Sequence, residues 1–448
     1  MKASPYNHFF ELLDGRVVLA YNSFSGKVAE IEPENYSAVR ELLSDPGRSR
    51  EARSEEFYRC LCDGGFLIPD GIDQAAGLRV NARAARLQGS NLTLTIAPTL
   101  ACNFACDYCF EARSNILMSK ETQAALLSFV DHHLYRFSGL RICWFGGEPT
   151  LCLGVIERLQ HQLRALVDKH HAKLLPAMII TNGYLMDAAM ATQLRELGVR
   201  QAQITLDGPE AVHDRRRKLR NGKGTFRRIV DNLRETVEIL RINVRINVDR
   251  DNVDTASEVV EVLRQNGLLD KVKVSFAQIT ASDTVCSDVR ERCQDSREFA
   301  GILERIYRKF EESGVHEINQ PQVSPEGTCG AVSEGYYVVS PNGFLFKCWE
   351  DLSVTGEKSI GTVFSPNLSE QQKANLESYR AWQPLTLEGC RTCRVLPVCM
   401  GGCPARGREL INPTHGACTT WKYNLKEMLE LAYIAANRPS GQHGDSRP

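Results

Sequence analysis

The sequence has no apolar run long enough to span a bilayer, and its start, MKASPYNHFF, lacks the basic residues, apolar stretch and small-residue cleavage site of a signal peptide. Charge of one sign is also missing. The 54 Lys and Arg against 55 Asp and Glu leave -1, which gives no electrostatic footprint for nucleic acid or an anionic membrane. No serine, histidine and acid are grouped in a way that indicates hydrolysis. These absences predict a soluble, cytoplasmic chain without nucleic-acid or membrane partners. What is present is length and cysteine: 448 residues suffice for two or three domains with a large core, and there are 16 cysteines. A disulfide scaffold suits a short secreted chain, whereas these cysteines cluster at metal-ligand spacings in a long one.

Periodicity divides the chain. From Asn7 to Ile31 apolar and polar residues alternate around the turn signals Asp14-Gly15 and Ser25-Gly26, which predicts three short antiparallel strands. Helical patterns follow over Pro33 to Leu43 and Glu55 to Asp63, so residues 1–72 read as a small winged-helix-like unit. Residues 73–90 read as a linker or bridging helix. Over 91–315 short apolar runs alternate with longer helical ones, the mark of beta-alpha units around a parallel sheet. Strands are expected at Leu92–Ala97, Arg141–Phe145, Ala177–Thr181, Gln201–Leu206, Arg241–Asn247 and Lys271–Phe276. The helices between them are expected at Lys120–Tyr135, Leu153–His170, Ala188–Leu197, Thr225–Leu240 and Thr255–Gln265, with a last one at Ser296–Glu312. Six strands make a partial (β/α)6 TIM barrel, in which loops at the C-terminal edge of the sheet build the active site. Over 316–430 cysteine, glycine and proline replace periodicity, so metal rather than apolar burial is expected to organise that part. Residues 431–448 read as a helix end and a disordered tail.

Cys102, Cys106 and Cys109 stand at a C-x3-C-x2-C spacing just after the first expected barrel strand, with Tyr108 before the last cysteine. A cubane iron-sulfur cluster held by only three thiolates keeps one iron free to hold a reactive cofactor. A zinc-binding or other metal protein is the alternative. From Cys329 the spacing is C-x13-G-x4-C through Gly343 to Cys348, then C-x2-C-x5-C-x3-C through Cys390, Cys393, Cys399 and Cys403, and finally Cys418. Cys60, Cys62, Cys143 and Cys152 have no partner spacing and read as buried, inert thiols. His132, His133, His170 and His171 read as exposed helix residues.

Together these motifs resemble the radical S-adenosylmethionine (SAM) enzymes that carry a SPASM auxiliary-cluster domain, over roughly residues 92 to 425. The resemblance implies that Cys102, Cys106 and Cys109 bind a 4Fe-4S cluster whose free iron is chelated by SAM. One-electron cleavage would then give a 5'-deoxyadenosyl radical that abstracts a substrate hydrogen. It further implies that Gly146, Gly147, Glu148 and Pro149 receive the SAM amino group. Thr181, Asn182, Thr205 and Asp207 would contact ribose and carboxylate, Arg217 would pair with the SAM carboxylate, and Tyr108 would pack beside the adenine. Arg215, Arg216, Lys218 and Arg220 read as a solvated face. Two auxiliary 4Fe-4S clusters follow from the same resemblance, the nearer on Cys329, Cys348 and Cys403 and the farther on Cys390, Cys393, Cys399 and Cys418. Seven thiolates are one short of eight: either Cys286 or Cys293 closes the nearer cluster, or it stays open for a substrate thiolate. No residue is assigned as catalytic acid, base or nucleophile.

The N-terminal unit resembles the recognition element of peptide-modifying members, in which a leader peptide adds as a strand to a sheet edge; a structural cap on the barrel is the alternative. The leading expectation is therefore a maturase that installs a cross-link, above all a thioether, in a ribosomally made precursor peptide or small protein, with a reductant such as flavodoxin or ferredoxin. A sulfatase-maturing enzyme that makes formylglycine is the second reading. An iron-sulfur electron-transfer or sensor protein without catalysis is the third.

Overall fold

The computed structural model describes residues 1–46, 55–87, 89–111, 114–280, 291–314, 318–323, 329–408 and 417–437. Cys286 and the expected disordered tail after Asn437 lie outside the described residues. At the centre is a ten-stranded sheet. Six parallel strands, Asn91–Ile96, Gly139–Trp144, Ala177–Thr181, Val199–Thr205, Arg241–Val248 and Val272–Gln278, pair in the order in which they occur, each with its predecessor. Their alternation is the physical reason for the layering: in Arg241–Val248, Ile242, Val244, Ile246 and Val248 are at most 3% exposed against the outer helices, while Asn243, Arg245 and Asn247 face the other way. The covering helices are Lys120–Leu134, Leu153–Lys169, Ala188–Glu196, Phe226–Thr236, Val259–Gln265 and Ser296–Glu312. Caps set several starts: Ser119 accepts from the Thr122 N–H, and Asp295 with Glu298 forms a reciprocal capping box.

The C-terminal part corrects one expectation, because apolar burial does help to organise it. Strand Tyr336–Val339 adds in parallel to Asn91–Ile96, turns back antiparallel into Phe344–Phe346, and that strand pairs with Gly361–Thr362. Val339, Leu345, Ile360 and Val363 thereby join the core of the barrel. Helix Trp421–Ala436 packs Met428, Leu431 and Ala432 into the same core beside Ser296–Glu312, and Asn424 Nδ2 donates to the Ala300 carbonyl at 3.1 Å.

In the N-terminal unit strands Asn7–Leu12, Val17–Asn22 and Val28–Ile31 form an antiparallel meander. The middle strand is buried on both faces. Val18 and Ala20 pack under helices Pro33–Ser44 and Glu55–Asp63, while Val17, Leu19 and Tyr21 pack onto Val395, Leu425 and Leu429. A two-residue pair, Lys2–Ala3 with Leu67–Ile68, was too short for any periodicity to show. Residues 73–90 contain a bridging helix, Gln74–Leu87, whose Leu78 and Ala82 pack against Leu396 and Met400. Cys60 contradicts its expectation: it lies on the outward face of its helix and is exposed, whereas Cys143 is buried and Cys62 and Cys152 are half-buried. No described helix is long and apolar enough to cross a membrane.

Candidate functional site

The loop that leaves strand Asn91–Ile96 carries Cys102, Cys106 and Cys109 at the C-terminal edge of the sheet. Burial raises the Cys102 thiol to about 12, with Glu148 and Cys106 adding repulsion. Cys109 also rises to about 12, through burial first and then Glu111 and Cys106. The three thiols thus lie within charge–charge reach of one another in a place that disfavours thiolate unless a cation is bound, as a thiolate–iron site requires. Among the described residues no three His, Cys, Asp or Glu side chains converge tightly enough for a single ion.

The segment after strand Gly139–Trp144 lies directly on this loop. Gly147 N–H donates to the Thr99 carbonyl at 3.2 Å and Glu148 N–H to the Ala101 carbonyl at 2.9 Å. A Cβ on Gly146 (φ +109°) would stand 2.3 Å from the Thr99 oxygen, and one on Gly147 would stand 2.4 Å from the Ala101 oxygen and 2.5 Å from that of Leu100. Only glycine permits the approach. Gly147→Ala is therefore expected to push the cysteine loop away and to weaken SAM binding by at least about tenfold, roughly 1.4 kcal/mol, in equilibrium dialysis. Unchanged affinity would show that the loop contact is dispensable.

Glu148 is fully buried, and burial raises its pKa against the hydrogen bonds it accepts. Its Oε1 accepts from the Thr150 N–H (3.1 Å), the Thr150 hydroxyl (2.6 Å) and the Thr181 hydroxyl (2.6 Å), and its Oε2 accepts from the Asn182 N–H at 2.7 Å. The carboxylate ties two strand ends together, and Oε2 keeps acceptor capacity for one more donor. Pro149 opens a short 3-10 turn behind it. Asn182 Nδ2 donates to Asn103 Oδ1 at 2.8 Å and lies 3.9 Å from the Cys102 sulfur.

Across the mouth a second network joins three elements. The Tyr108 hydroxyl donates to Asp207 and accepts from Arg217 Nη1 (2.5 Å) and Asn247 Nδ2 (3.2 Å). Asp207, wholly buried, also accepts from the Asn247 N–H at 3.0 Å. Thr205 is buried at the end of its strand. His213 accepts from the Asp207 N–H, and burial followed by repulsion from Arg217 and Arg216 depresses its pKa well below the usual 6.5. Arg216 corrects the sequence reading. It is 1% exposed and grips Asp249 with two bonds of 2.9 and 3.1 Å, while Arg215, Lys218 and Arg220 are exposed as expected. Asn247, Asp249 and Asn252 went unread. Asn252 Nδ2 donates to the carbonyls of Asp207 (2.8 Å) and Asn247 (2.9 Å). Asn247 and Asp249 were discoverable, since they stand at a strand's C-terminal end like the residues that were found. Arg217 Nε is buried without a partner, which leaves a guanidinium donor for an anionic group such as a carboxylate.

Two further thiol sets occur in the C-terminal part. Cys329 and Cys348 each lie within charge–charge reach of Cys403. Cys390, Cys393, Cys399 and Cys418 line one small cavity together with Lys422, whose ammonium lies 3.6 Å from the Cys418 sulfur. Gly402 (φ +75°) lets the chain pass under the Ala417 carbonyl there, where a Cβ would stand 1.7 Å away. Cys293 packs with Tyr108 and Ile279, on the side of the first cysteine motif.

A six-strand parallel half-barrel thus carries three half-buried thiols and a glycine-lined strand end at its mouth. Residues 96–264 match the family model described as the radical SAM superfamily, a family that uses a 4Fe-4S cluster and SAM, and the protein is an enzyme. The non-catalytic alternative falls away. The chain is 25% identical over 324 residues to the serine-type anaerobic sulfatase-maturating enzyme of Klebsiella aerogenes, covering 68% of this chain and 77% of that protein. Native anSMEcpe with bound AdoMet and Cp18Cys peptide superposes with a TM-score of 0.59 at 19% identity, over 78% of this chain and 100% of that one. Streptococcus suis SuiB bound to the precursor peptide SuiA gives 0.51 at 14% identity, over 94% and 99%. At these identities the two structures establish the fold, and several of the relatives, among them sulfatase-maturating enzymes and a PqqA peptide cyclase, act on peptides or proteins.

Proposed function

We propose that this enzyme matures a ribosomally made precursor peptide by installing a cross-link, with a thioether as the leading product. The observation that carries the reading is the N-terminal unit. Its strand Val28–Ile31 pairs on one side only among the described residues, with Val28 50% exposed, so a leader peptide has an edge on which to add as a further strand. The likeness to SuiB extends over 94% of the chain and so reaches into this unit. The sulfatase-maturing reading keeps equal support from the relatives, since the Klebsiella enzyme is matched over most of its length.

Within this proposal Cys102, Cys106 and Cys109 hold the SAM-binding cluster. With cluster and SAM bound, the chemistry supplied is one-electron cleavage of the sulfonium to a 5'-deoxyadenosyl radical that takes a hydrogen atom from the substrate. The chain binds, orients and excludes water. The Gly146–Pro149 segment, through Glu148 Oε2, receives the SAM amino group, and the Arg217 guanidinium receives the carboxylate. Thr181, Asn182, Thr205 and Asp207 line the ribose side, and Tyr108 closes the adenine side. Cys329, Cys348 and Cys403 hold a nearer auxiliary cluster, and Cys390, Cys393, Cys399 and Cys418 a farther one. Either Cys286 or Cys293 completes the nearer cluster, or that cluster is left open for a substrate thiolate. A flavodoxin or ferredoxin supplies electrons.

The test is anaerobic incubation with SAM, a reductant and the peptide encoded beside the gene, read by mass spectrometry. Loss of two hydrogens with a cross-link between residues is the expected result, whereas an aldehyde formed on a sulfatase-derived peptide instead would establish the second reading. Cys399→Ala is expected to retain SAM binding at the first site while product falls to background. Undiminished product would mean that the farther thiol set plays no part in turnover.

A further inference from the structure

Arg245 lies on the inward face of strand Arg241–Val248, between Asn243 and Asn247. Below it Asn243 Nδ2 donates to Gln203 Oε1 at 3.4 Å, and Asn243 Oδ1 accepts from the Ser275 hydroxyl at 3.1 Å. This polar ladder opens into a cavity of about 770 Å³ lined by Gln201, Gln203, Asn243, Lys273 and Ser275. Above it Asn247 donates to Tyr108 in the strand-end network. Arg245, which does not itself line that cavity, stands between it and the strand-end network.

Its charge is not matched by the protein. Arg216 is paired with Asp249, Arg217 with Tyr108, and Arg292 with Asp107 and Asp251. Arg245 Nε donates to Asn247 Oδ1 at 2.8 Å, and among the described residues no acceptor meets its two terminal nitrogens. Asp207 and Glu350 attract it from a distance, yet burial outweighs them and lowers its pKa. The guanidinium is half-buried, and its forked terminal donors are available to an arriving anion. The fork fits a carboxylate in two parallel hydrogen bonds.

We infer that Arg245 binds a carboxylate of the peptide substrate and so selects sequences that present one inside the half-barrel. The inference rests on the peptide-maturase reading and narrows its substrate class to acidic peptides. The probes are capped, amidated Ala-Glu-Ala and Ala-Gln-Ala, together with Ala-Gln-Ala bearing a free C terminus, titrated calorimetrically into the reconstituted full-length holoenzyme with SAM. Wild type is expected to bind the Glu peptide roughly ten- to a hundredfold more tightly than its Gln counterpart. That preference should vanish in Arg245→Gln and return in part in Arg245→Lys, which also shows that loss is not misfolding. A gain seen only with the free terminus would make the chain end the bound group. Equal binding of all three probes by wild type, or a preference that survives Arg245→Gln, overturns the inference. So does weaker SAM binding in Arg245→Gln with the peptide preference intact, because the guanidinium would then belong to SAM. Failure of the peptide reading shows separately, as absence of product from the neighbouring peptide with wild type, whatever the tripeptides do.

Discussion

Cys106→Ala is expected to abolish reductive cleavage of SAM, with 5'-deoxyadenosine falling to the level of a sample without enzyme and iron content falling by one cluster. Cys106 is the middle thiol of its loop, and both Cys102 and Cys109 feel its charge. Two remaining thiolates cannot anchor a cubane against loss of iron, and with it goes the vacant position that SAM needs. Cys60→Ala supplies the control, since Cys60 is exposed on a helix of the N-terminal unit and should leave cleavage unaltered. Chromatographic detection of 5'-deoxyadenosine from anaerobic, dithionite-reduced protein decides the matter. Cleavage that persists in Cys106→Ala would remove the ligand assignment.

Arg216→Met is expected to destabilise the protein by about 3–5 kcal/mol, because it leaves Asp249 as a buried carboxylate without its hydrogen-bonded cation and removes one of the cations beside Asp207. Both aspartates are 0% exposed. Arg216 Nη1 and Nη2 lie 2.9 and 3.1 Å from Asp249, and Nε lies 3.7 Å from Asp207. Exposed Arg215, one residue earlier, sets the scale: Arg215→Met should change stability by no more than about 0.5 kcal/mol. The double variant Arg216→Met/Asp249→Leu should regain part of the loss, since removing both charges removes the desolvation penalty. Anaerobic denaturant titrations of the four proteins measure this, and an Arg216→Met midpoint equal to that of wild type would contradict it.

That ion pair also marks where sequence reading stops. The barrel strands and helices were legible because a buried sheet flanked by helices imposes strong periodicity, as in Ile242, Val244 and Ile246 against the outer helices. The three cysteine sets were legible because thiols at ligand spacing have few other uses in a long chain. Arg216 was hidden because it lies in a run of cations that looks like a solvated face, and because its partner comes 33 residues later. The hairpin around Gly343 was hidden for a different reason. Strand Tyr336–Val339 has only four residues, and its burial depends on parallel pairing with Asn91–Ile96, far away in sequence. For Gly146 and Gly147 the resemblance implied a part in receiving the SAM amino group. The backbone geometry adds that they make room for the cysteine loop itself.

The proposed function depends on one iron that Cys102, Cys106 and Cys109 would leave without a protein ligand. Electron paramagnetic resonance of the anaerobically reconstituted, reduced wild-type protein, recorded before and after addition of SAM, tests it most directly. A reduced 4Fe-4S signal whose g-values shift when SAM is added is the predicted result. Zinc in place of iron, or cluster signals that all ignore SAM, would contradict it.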